Sequence, residues 1–176
     1  MENTTRTYSI KPYDPQWPFE FEKIKKLLIE MFDENIVYIE HVGSTSVPGM
    51  KAKPLIDVLM VVKDIDDCKN QSEKITSLGY KMRENVLEDN SLLFEKFSGN
   101  EKVENIHVFT NGAPKINQFI DVRDYLRTHS ERAEAYGNLK EKIQQEHPDD
   151  YFAYRPKKAD FLKETVRLAT EWKNNQ

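Results

Sequence analysis

Between Val42 and Val58 the chain reads VGSTSVPGMKAKPLIDV, and the residue types in this stretch suit the holding of a phosphate. Glycine at position 43 has no Cβ to keep an anion from the backbone, and Ser44, Thr45 and Ser46 follow it with hydroxyl donors. Lys51 and Lys53 add positive charge in the same loop. Asp57 then arrives on the next apolar run, in the region a phosphate-bound cation would occupy. One carboxylate together with a ligand's phosphates suits Mg2+, which takes hard oxygen donors and keeps several waters. Gly-Ser and Pro-Gly pairs are also ordinary turn punctuation, so Asp57 is the informative residue. It is flanked by Leu55, Ile56, Val58, Leu59 and Met60, where an unpaired ionised carboxylate is costly. Either it holds a metal or it pairs with Lys53 or His41.

Two strands are expected to carry these residues. IVYIEHV, residues 36–42, is rich in β-branched and aromatic residues and stops at Gly43; PLIDVLMVV, residues 54–62, has almost no polar alternation, the pattern of a strand buried on both faces. Upstream, YDPQWPFEFEKIKKLLIEMF predicts an amphipathic helix with Asp14 as N-cap, Pro15 at the first position and Ile24, Leu27, Leu28, Met31 and Phe32 on its apolar face. Asp64 is expected to cap a helix running to about Leu78 and closed by Gly79, followed by a short strand at YKMRE. SLLFEKFSGNEKVENIHVFTNGAP predicts a β-hairpin turning at SGNEK and leaving at Asn111-Gly112. From Pro114 onward three helices are predicted, through KINQFIDVRDYLR, HSERAEAYGNLKEKIQQEH and KKADFLKETVRLATEW. Thr128 and Glu131 have capping-box spacing, and Phe161, Leu162, Val166, Ala169 and Trp172 share one face of the last helix. The fold class is α+β, a mixed sheet flanked by helices with a helical C-terminal third. Without a repeat, linker or low-complexity segment, residues 1–176 read as a single domain.

Composition narrows the function classes. A formal net charge of -4 is not the basic footprint of a general nucleic-acid binder. The single cysteine, Cys68, builds neither an internal disulfide nor a thiolate metal site, which suits a reducing, cytoplasmic setting. The start, MENTTRTYSI, lacks an apolar signal core, and no run reaches the roughly 20 apolar residues of a membrane span. No membrane partner is expected.

The stretch HVGSTSVPGMKAKPLIDVLMVV resembles the signature of the GrpB family, and VRDYLRTHSERAEAYGNLK and YRPKKADFL resemble that family's C-terminal pattern. The likeness runs in order from YDPQWPFEFEKI to Leu162. The family in turn resembles the nucleotidyltransferase superfamily, in which a Gly-Ser turn holds the nucleoside triphosphate and carboxylates on the next strand hold divalent metal. The resemblance implies that Gly43 and Ser44 are the turn that meets the phosphates, and that Asp57 is the catalytic and metal-binding carboxylate with Mg2+ as cofactor; Thr45, Ser46 and Lys53 are expected on the phosphates from their hydroxyls and charge. It also implies that a nucleotidyl group passes to an acceptor. The superfamily's second acid, two residues further along the strand, is here Leu59, and holding two ions across an in-line displacement needs further carboxylates. Glu40, Glu95, Glu104 and Asp121 are the acids that neighbouring elements offer, although Glu95 and Glu104 read as the solvated face of the hairpin.

Three functions stay open at this point. The first is an Mg2+-dependent nucleotidyltransferase-like protein that binds a nucleoside triphosphate. The second is a non-catalytic accessory module for a nucleotide or coenzyme A-like ligand, since domains resembling this family occur appended to dephospho-coenzyme A kinases. The third is a metal hydrolase in which His41, His107 and Asp57 converge. His41 and His107 otherwise read as core histidines satisfied by hydrogen bonds, and His129 and His147 as exposed residues near helix ends. Arg123 offers a planar fork for phosphate, but the adjacent Asp124 invites an internal ion pair. Tyr136, Leu139 and Lys140 continue the family pattern, with Tyr136 and Leu139 at packing positions. Lys158 faces either the site or solvent.

Overall fold

The two apolar runs flanking the Gly43–Ser46 turn form adjacent antiparallel strands, β1 (Ile36–Val42) and β2 (Ile56–Val62), in a computed structural model of the chain. The structure describes residues 8–148 and 150–176; the polar N-terminal arm lies, through residue 7, outside the described residues. Three further strands, β3 (Lys81–Glu84), β4 (Ser91–Ser98) and β5 (Glu101–Thr110), complete a sheet of order β1-β2-β5-β4-β3. Every neighbouring pair is antiparallel except β2 with β5.

Alternation along β2 divides its side chains between two layers. Ile56, Val58, Met60 and Val62 pack beneath α1 (Trp17–Phe32) and α2 (Ile65–Asn70), with Phe21, Ile24, Leu28 and Phe32 as the apolar stripe of α1. On the other face Leu59 and Val61 join Val42 and Phe109 under Ile116, Phe119 and Ile120 of α4 (Pro114–Thr128). A third apolar cluster, Val47, Met50, Leu126, Ala133 and Tyr136, fixes the turn region against α5 (Ser130–Glu146). Two more helices, α6 (Tyr151–Lys157) and α7 (Ala159–Asn174), follow, and α7 packs along α4. Among the described residues no helix is long and apolar enough to cross a membrane.

Several boundaries differ from the sequence expectations. Asp14 accepts the Gln16 amide at 2.8 Å and closes a turn ahead of α1, which begins at Trp17. Asp64 does cap α2, accepting the Asp66 and Asp67 amides. The helix breaks before Leu78, however, and a separate short helix α3 (Glu73–Thr76) follows. Asn70 and Ser72 at the break are residue types that favour helix ends over interiors, and Ile65, Cys68 and Ile75 alone are buried across the two helices. Thr128 Oγ1 donates back to the Asp124 and Tyr125 carbonyls, both at 3.0 Å, so it closes α4 and no capping box opens α5. Among the described residues the C-terminal third holds four helices where three were expected. The additional one, α6, is short, is capped by Asp150 and has Pro156 near its end, so it shows no extended apolar period.

The apolar contact of Leu59 with α4 has a direct test. Leu59 is 0% exposed, and Leu59→Ala is expected to lower unfolding free energy by about 2–5 kcal/mol in urea titrations. A loss below about 1 kcal/mol would contradict a packed role for this position.

Candidate functional site

The site begins at the end of β1, where the register pairs Val42 with Asp57 and the chain turns at Gly43. Gly43 has φ of 71°, and a Cβ there would lie 2.5 Å from Asp57 Oδ2. Glycine is therefore required both for the left-handed backbone and for the approach of the carboxylate. On the other side of β2 the parallel register sets Asp57 beside Asn105 and Leu59 beside His107. Asn105 Nδ2 donates to Asp57 Oδ1 at 2.8 Å, and His107 Nε2 donates to the same oxygen at 3.2 Å. Burial pushes the Asp57 carboxyl up, but the hydrogen bonds and charge of His107, the Asn105 amide and the nearby Lys158 ammonium outweigh it and hold the group below the ordinary carboxylate range.

Two lysines approach from the helical third. Lys140 sits on the buried stripe of α5 with Ala133, Tyr136, Gly137 and Ile143, and is only 2% exposed. Its Nζ donates to Ser44 Oγ at 2.9 Å and lies 4.5 Å from the centre of the Tyr136 ring. Burial, and then the Lys158 charge, push Lys140 down to about 7 despite the opposing pull of Asp57. Lys158, at the junction of α6 and α7, lies over the Tyr154 ring at 4.9 Å. Burial lowers it too, against the attraction of Asp57.

Between these groups lies a cleft of about 350 Å3. Gly43, Ser44, Asp57, His107 and Lys158 give it a polar floor, and Lys115 and Gln118 lie along its α4 side. Phe119, Val122, Leu126, Leu162 and Val166 form an apolar wall where α4 meets α7. Arg123 lines the cleft but is tied into the protein: its guanidinium donates to Glu40 at 2.6 Å, to Asp124 at 2.8 Å and to the His41 carbonyl at 3.2 Å. Arg127 Nε donates to the Ser46 carbonyl at 3.0 Å and braces the turn.

Of the residues singled out from sequence, Gly43, Ser44, Asp57, His107, Arg123 and Lys158 reach this cleft. Thr45, Ser46, Lys53 and His41 do not line it. Thr45 Oγ1 donates to the Leu55 carbonyl and accepts from His41 Nε2, both at 3.0 Å, while Ser46 Oγ donates to the Gly43 carbonyl at 2.6 Å. Lys53 Nζ lies 5.3 Å from the centre of the Tyr151 ring. His41 alternates to the α1 face, stacks on Phe21 at 4.9 Å and is pushed down to about 4, chiefly by burial. His41, His107 and Asp57 therefore do not converge, which removes the hydrolase arrangement. Nor is His41 or Lys53 the partner of Asp57; Asn105 and His107 are. His129 and His147 are half-buried rather than exposed, and His129 stacks on Tyr125 at 3.9 Å.

None of the four alternative acids lines the cleft. Glu40 is bound by Arg123, and Glu104 accepts from Tyr80 on the other side of the sheet. Glu95 is 5% exposed and held by Lys102, so it is not on a solvated face. Asp121 sits on α4, away from the cleft lining, and burial raises it. Among the described residues Asp57 is thus the one acid in the cleft lining, flanked by neutral Asn105 and apolar Leu59 and near the ammoniums of Lys140 and Lys158. Among the described residues no group of three or more His, Cys, Asp or Glu side chains is placed to hold a metal ion. This donor set does not fit the pair of Mg2+ ions that nucleotidyl transfer uses.

Lys140 and Asn105 had no place in the sequence-based site. The signal for Lys140 was a lysine within the α5 apolar period, at i+4 from Tyr136 and i+7 from Ala133. The signal for Asn105 was weaker, because its position beside Asp57 depends on the parallel register of β2 and β5.

The family model described as GrpB protein matches residues 7–167. The Bacillus subtilis protein YqkA is 33% identical over 97% of this chain, and the chain spans about half of that relative's length, 50%. A dephospho-CoA kinase of Mycolicibacterium paratuberculosis is 23% identical over 92% of this chain and 46% of its own. The crystal structure of conserved protein GrpB from Enterococcus faecalis superposes with a TM-score of 0.88 at 29% identity, covering 93% of this chain and 98% of that one. Cid1 poly(U) polymerase bound to MgATP superposes with a TM-score of 0.51 at 10% identity, over 77% of this chain and 45% of that one, a likeness of fold. The mixed sheet with its helical C-terminal third is thus a nucleotidyltransferase-like fold.

The buried Lys140 has a consequence for stability. Its folded value of about 7 lies below the ordinary lysine value near 10.4, so between the two the native state binds fewer protons than the unfolded state. Its contribution therefore makes stability rise as pH rises from about 7 to about 10. Urea midpoints of Lys140→Met are expected to rise less over that range than those of the native sequence; equal slopes would show that Lys140 is not a buried, depressed amine.

Proposed function

Since the chain belongs to the GrpB family and its fold is nucleotidyltransferase-like, we propose that its cleft binds a nucleoside triphosphate or a related phosphate-bearing ligand, and does so without a pair of catalytic metal ions. The observation that carries this reading is the arrangement around Ser44: a hydroxyl at the cleft floor, Lys140 behind it at 2.9 Å and Lys158 lining the same cleft. Lysine ammoniums serve phosphate as point charges, and here Lys140 and Lys158 stand near Asp57, the one acid lining the cleft among the described residues. The apolar wall from Phe119 to Val166 suits the flat or aliphatic remainder of such a ligand.

A coenzyme A-like ligand is the second reading, favoured by the match of 92% of the chain to part of a dephospho-CoA kinase. It uses the same phosphate contacts, with the apolar wall taking an extended arm. Transfer of a nucleotidyl group is not part of the proposal, because Leu59 occupies the position that a second metal-holding acid would need. A cytoplasmic setting belongs to the same proposal and accords with the single buried Cys68, whose thiol burial pushes up to about 12.

Calorimetry with the four common nucleoside triphosphates and with coenzyme A, in Mg2+ and in EDTA, tests this reading. Binding of at least one ligand is expected to persist in EDTA. Lys158→Met is expected to weaken it about tenfold or more, the scale of a lost hydrogen bond to a charged group. Asp57→Asn is expected to preserve or strengthen it, since a negative charge beside the phosphates is removed. Binding that requires Mg2+ and is lost in Asp57→Asn would restore the metal role, and no binding under any condition would sink the proposal.

A further inference from the structure

We infer that a phosphate seated at Ser44 draws a proton onto Lys140 through the Ser44 hydroxyl, so that ligand binding in this cleft takes up a proton and weakens as pH rises above neutrality. This rests on the phosphate-binding reading above and adds a proton to it.

The geometry sets up an ammonium whose charge is poorly compensated until an anion arrives. Lys140 is 2% exposed and lies behind the cleft lining, where its hydrogen bond goes to a neutral acceptor, Ser44 Oγ at 2.9 Å. A protonated lysine in such a place needs a negative partner. From β2, Asp57 supplies attraction, but its carboxylate is already engaged by Asn105 and His107 and also serves Lys158. From the junction of α6 and α7, Lys158 opposes the charge. The phenols of Tyr136 on α5 and Tyr154 on α6 are both pushed up, chiefly by burial, and bring no charge near neutrality. On the outer side of α5, Lys51 and Glu141 pair with each other at 2.6 Å and largely cancel. The balance leaves Lys140 at about 7, so a large share of the empty sites hold it neutral at physiological pH.

A serine hydroxyl donates one hydrogen bond while accepting others. Ser44 can accept from Lys140 and donate to a phosphate oxygen, forming a chain from ammonium to hydroxyl to phosphate in which each bond polarises the next. The added negative charge favours the charged form of Lys140, and linkage requires the converse: protonating Lys140 tightens phosphate binding by the same factor. Between the free and bound values of Lys140, affinity falls up to about tenfold per pH unit.

The experiment is calorimetry with coenzyme A and the four common nucleoside triphosphates at about pH 8, about two units above the second ionisation of a phosphate ester. Each titration is run in buffers of low and high ionisation enthalpy, which reads the protons exchanged per ligand bound. Uptake close to one proton is expected, with loss of that uptake in Lys140→Met. Binding with no buffer dependence would overturn this inference alone, and uptake persisting in Lys140→Met would overturn it by assigning the proton elsewhere. No binding of any of these ligands would sink the phosphate-binding reading and this inference with it. If Lys140→Met does not fold, 13C titration of the lysine Cε resonances in the native protein decides. With the Lys158 resonance identified by its loss in Lys158→Met, one other lysine titrating about three units below the ordinary value near 10.4, and shifting upward with ATP, is expected; every lysine but Lys158 titrating near 10.4 in the ligand-free protein would overturn the inference.

Discussion

An ionised carboxylate on an apolar central strand must be compensated from the protein around it, and the layout of this molecule's cleft follows from the way Asp57 meets that requirement. Its Oδ1 takes hydrogen bonds from Asn105 and His107, which the parallel pairing of β5 with β2 brings alongside. Its Oδ2 lies so close to the turn after β1 that position 43 has no room for a side chain. The turn, the middle of the sheet and the cleft floor are thus fixed by one group. In water the same carboxylate would need none of this; between Ile56 and Val58 its charge persists because its neighbours favour it more than burial penalises it.

Much of this was legible in the sequence, for identifiable reasons. The runs 36–42 and 54–62 are dense in β-branched residues and bounded by Gly43 and Lys63, so strand type and C-terminal ends could be read from composition, although the second strand starts at Ile56 and not at Pro54. Gly43, Ser44 and Asp57 could be named because they are close in sequence and their types are chemically unusual for their surroundings. Information carried by distant pairing was not legible. Asn105 lies 48 residues from Asp57 and Lys140 lies 96 from Ser44, and no local pattern specifies a parallel register or the meeting of a helix with a turn. The same limit explains Thr45 and Ser46. Their hydroxyls resemble that of Ser44 in sequence, but the tight turn after Gly43 aims them back at the Leu55 and Gly43 carbonyls.

Arg123 shows how a residue at a cleft can be structural. Its guanidinium joins Glu40 of β1, Asp124 of its own helix and the His41 carbonyl, so it ties α4 to the sheet edge at the mouth of the cleft. Burial of the group, which disfavours its charge, is outweighed by the two carboxylates. Such a network, with each charge paired and hydrogen-bonded, is the condition under which partly buried ions are tolerated. It also holds the fork that a phosphate would otherwise use.

Leu59 links the packing of the fold to the limits of its chemistry. It shares a sheet face with Asp57, one alternation further along β2, and there it meets Val61, Phe109 and the apolar side of α4. An acid at that position would face hydrocarbon on the side that α4 covers, and α4 in turn supplies Phe119 and Val122 to the cleft wall. The residue that departs from a paired-carboxylate site is therefore part of what builds the apolar half of the cleft. With one acid among the described residues of the lining, neutralisation of a bound phosphate falls in the proposed reading to Lys158 at the cleft floor and, through Ser44, to Lys140 behind it. On that reading, a nucleotidyltransferase-like fold keeps its Gly-Ser turn for phosphate while the positive charge facing it comes from the chain itself rather than from a pair of metal ions.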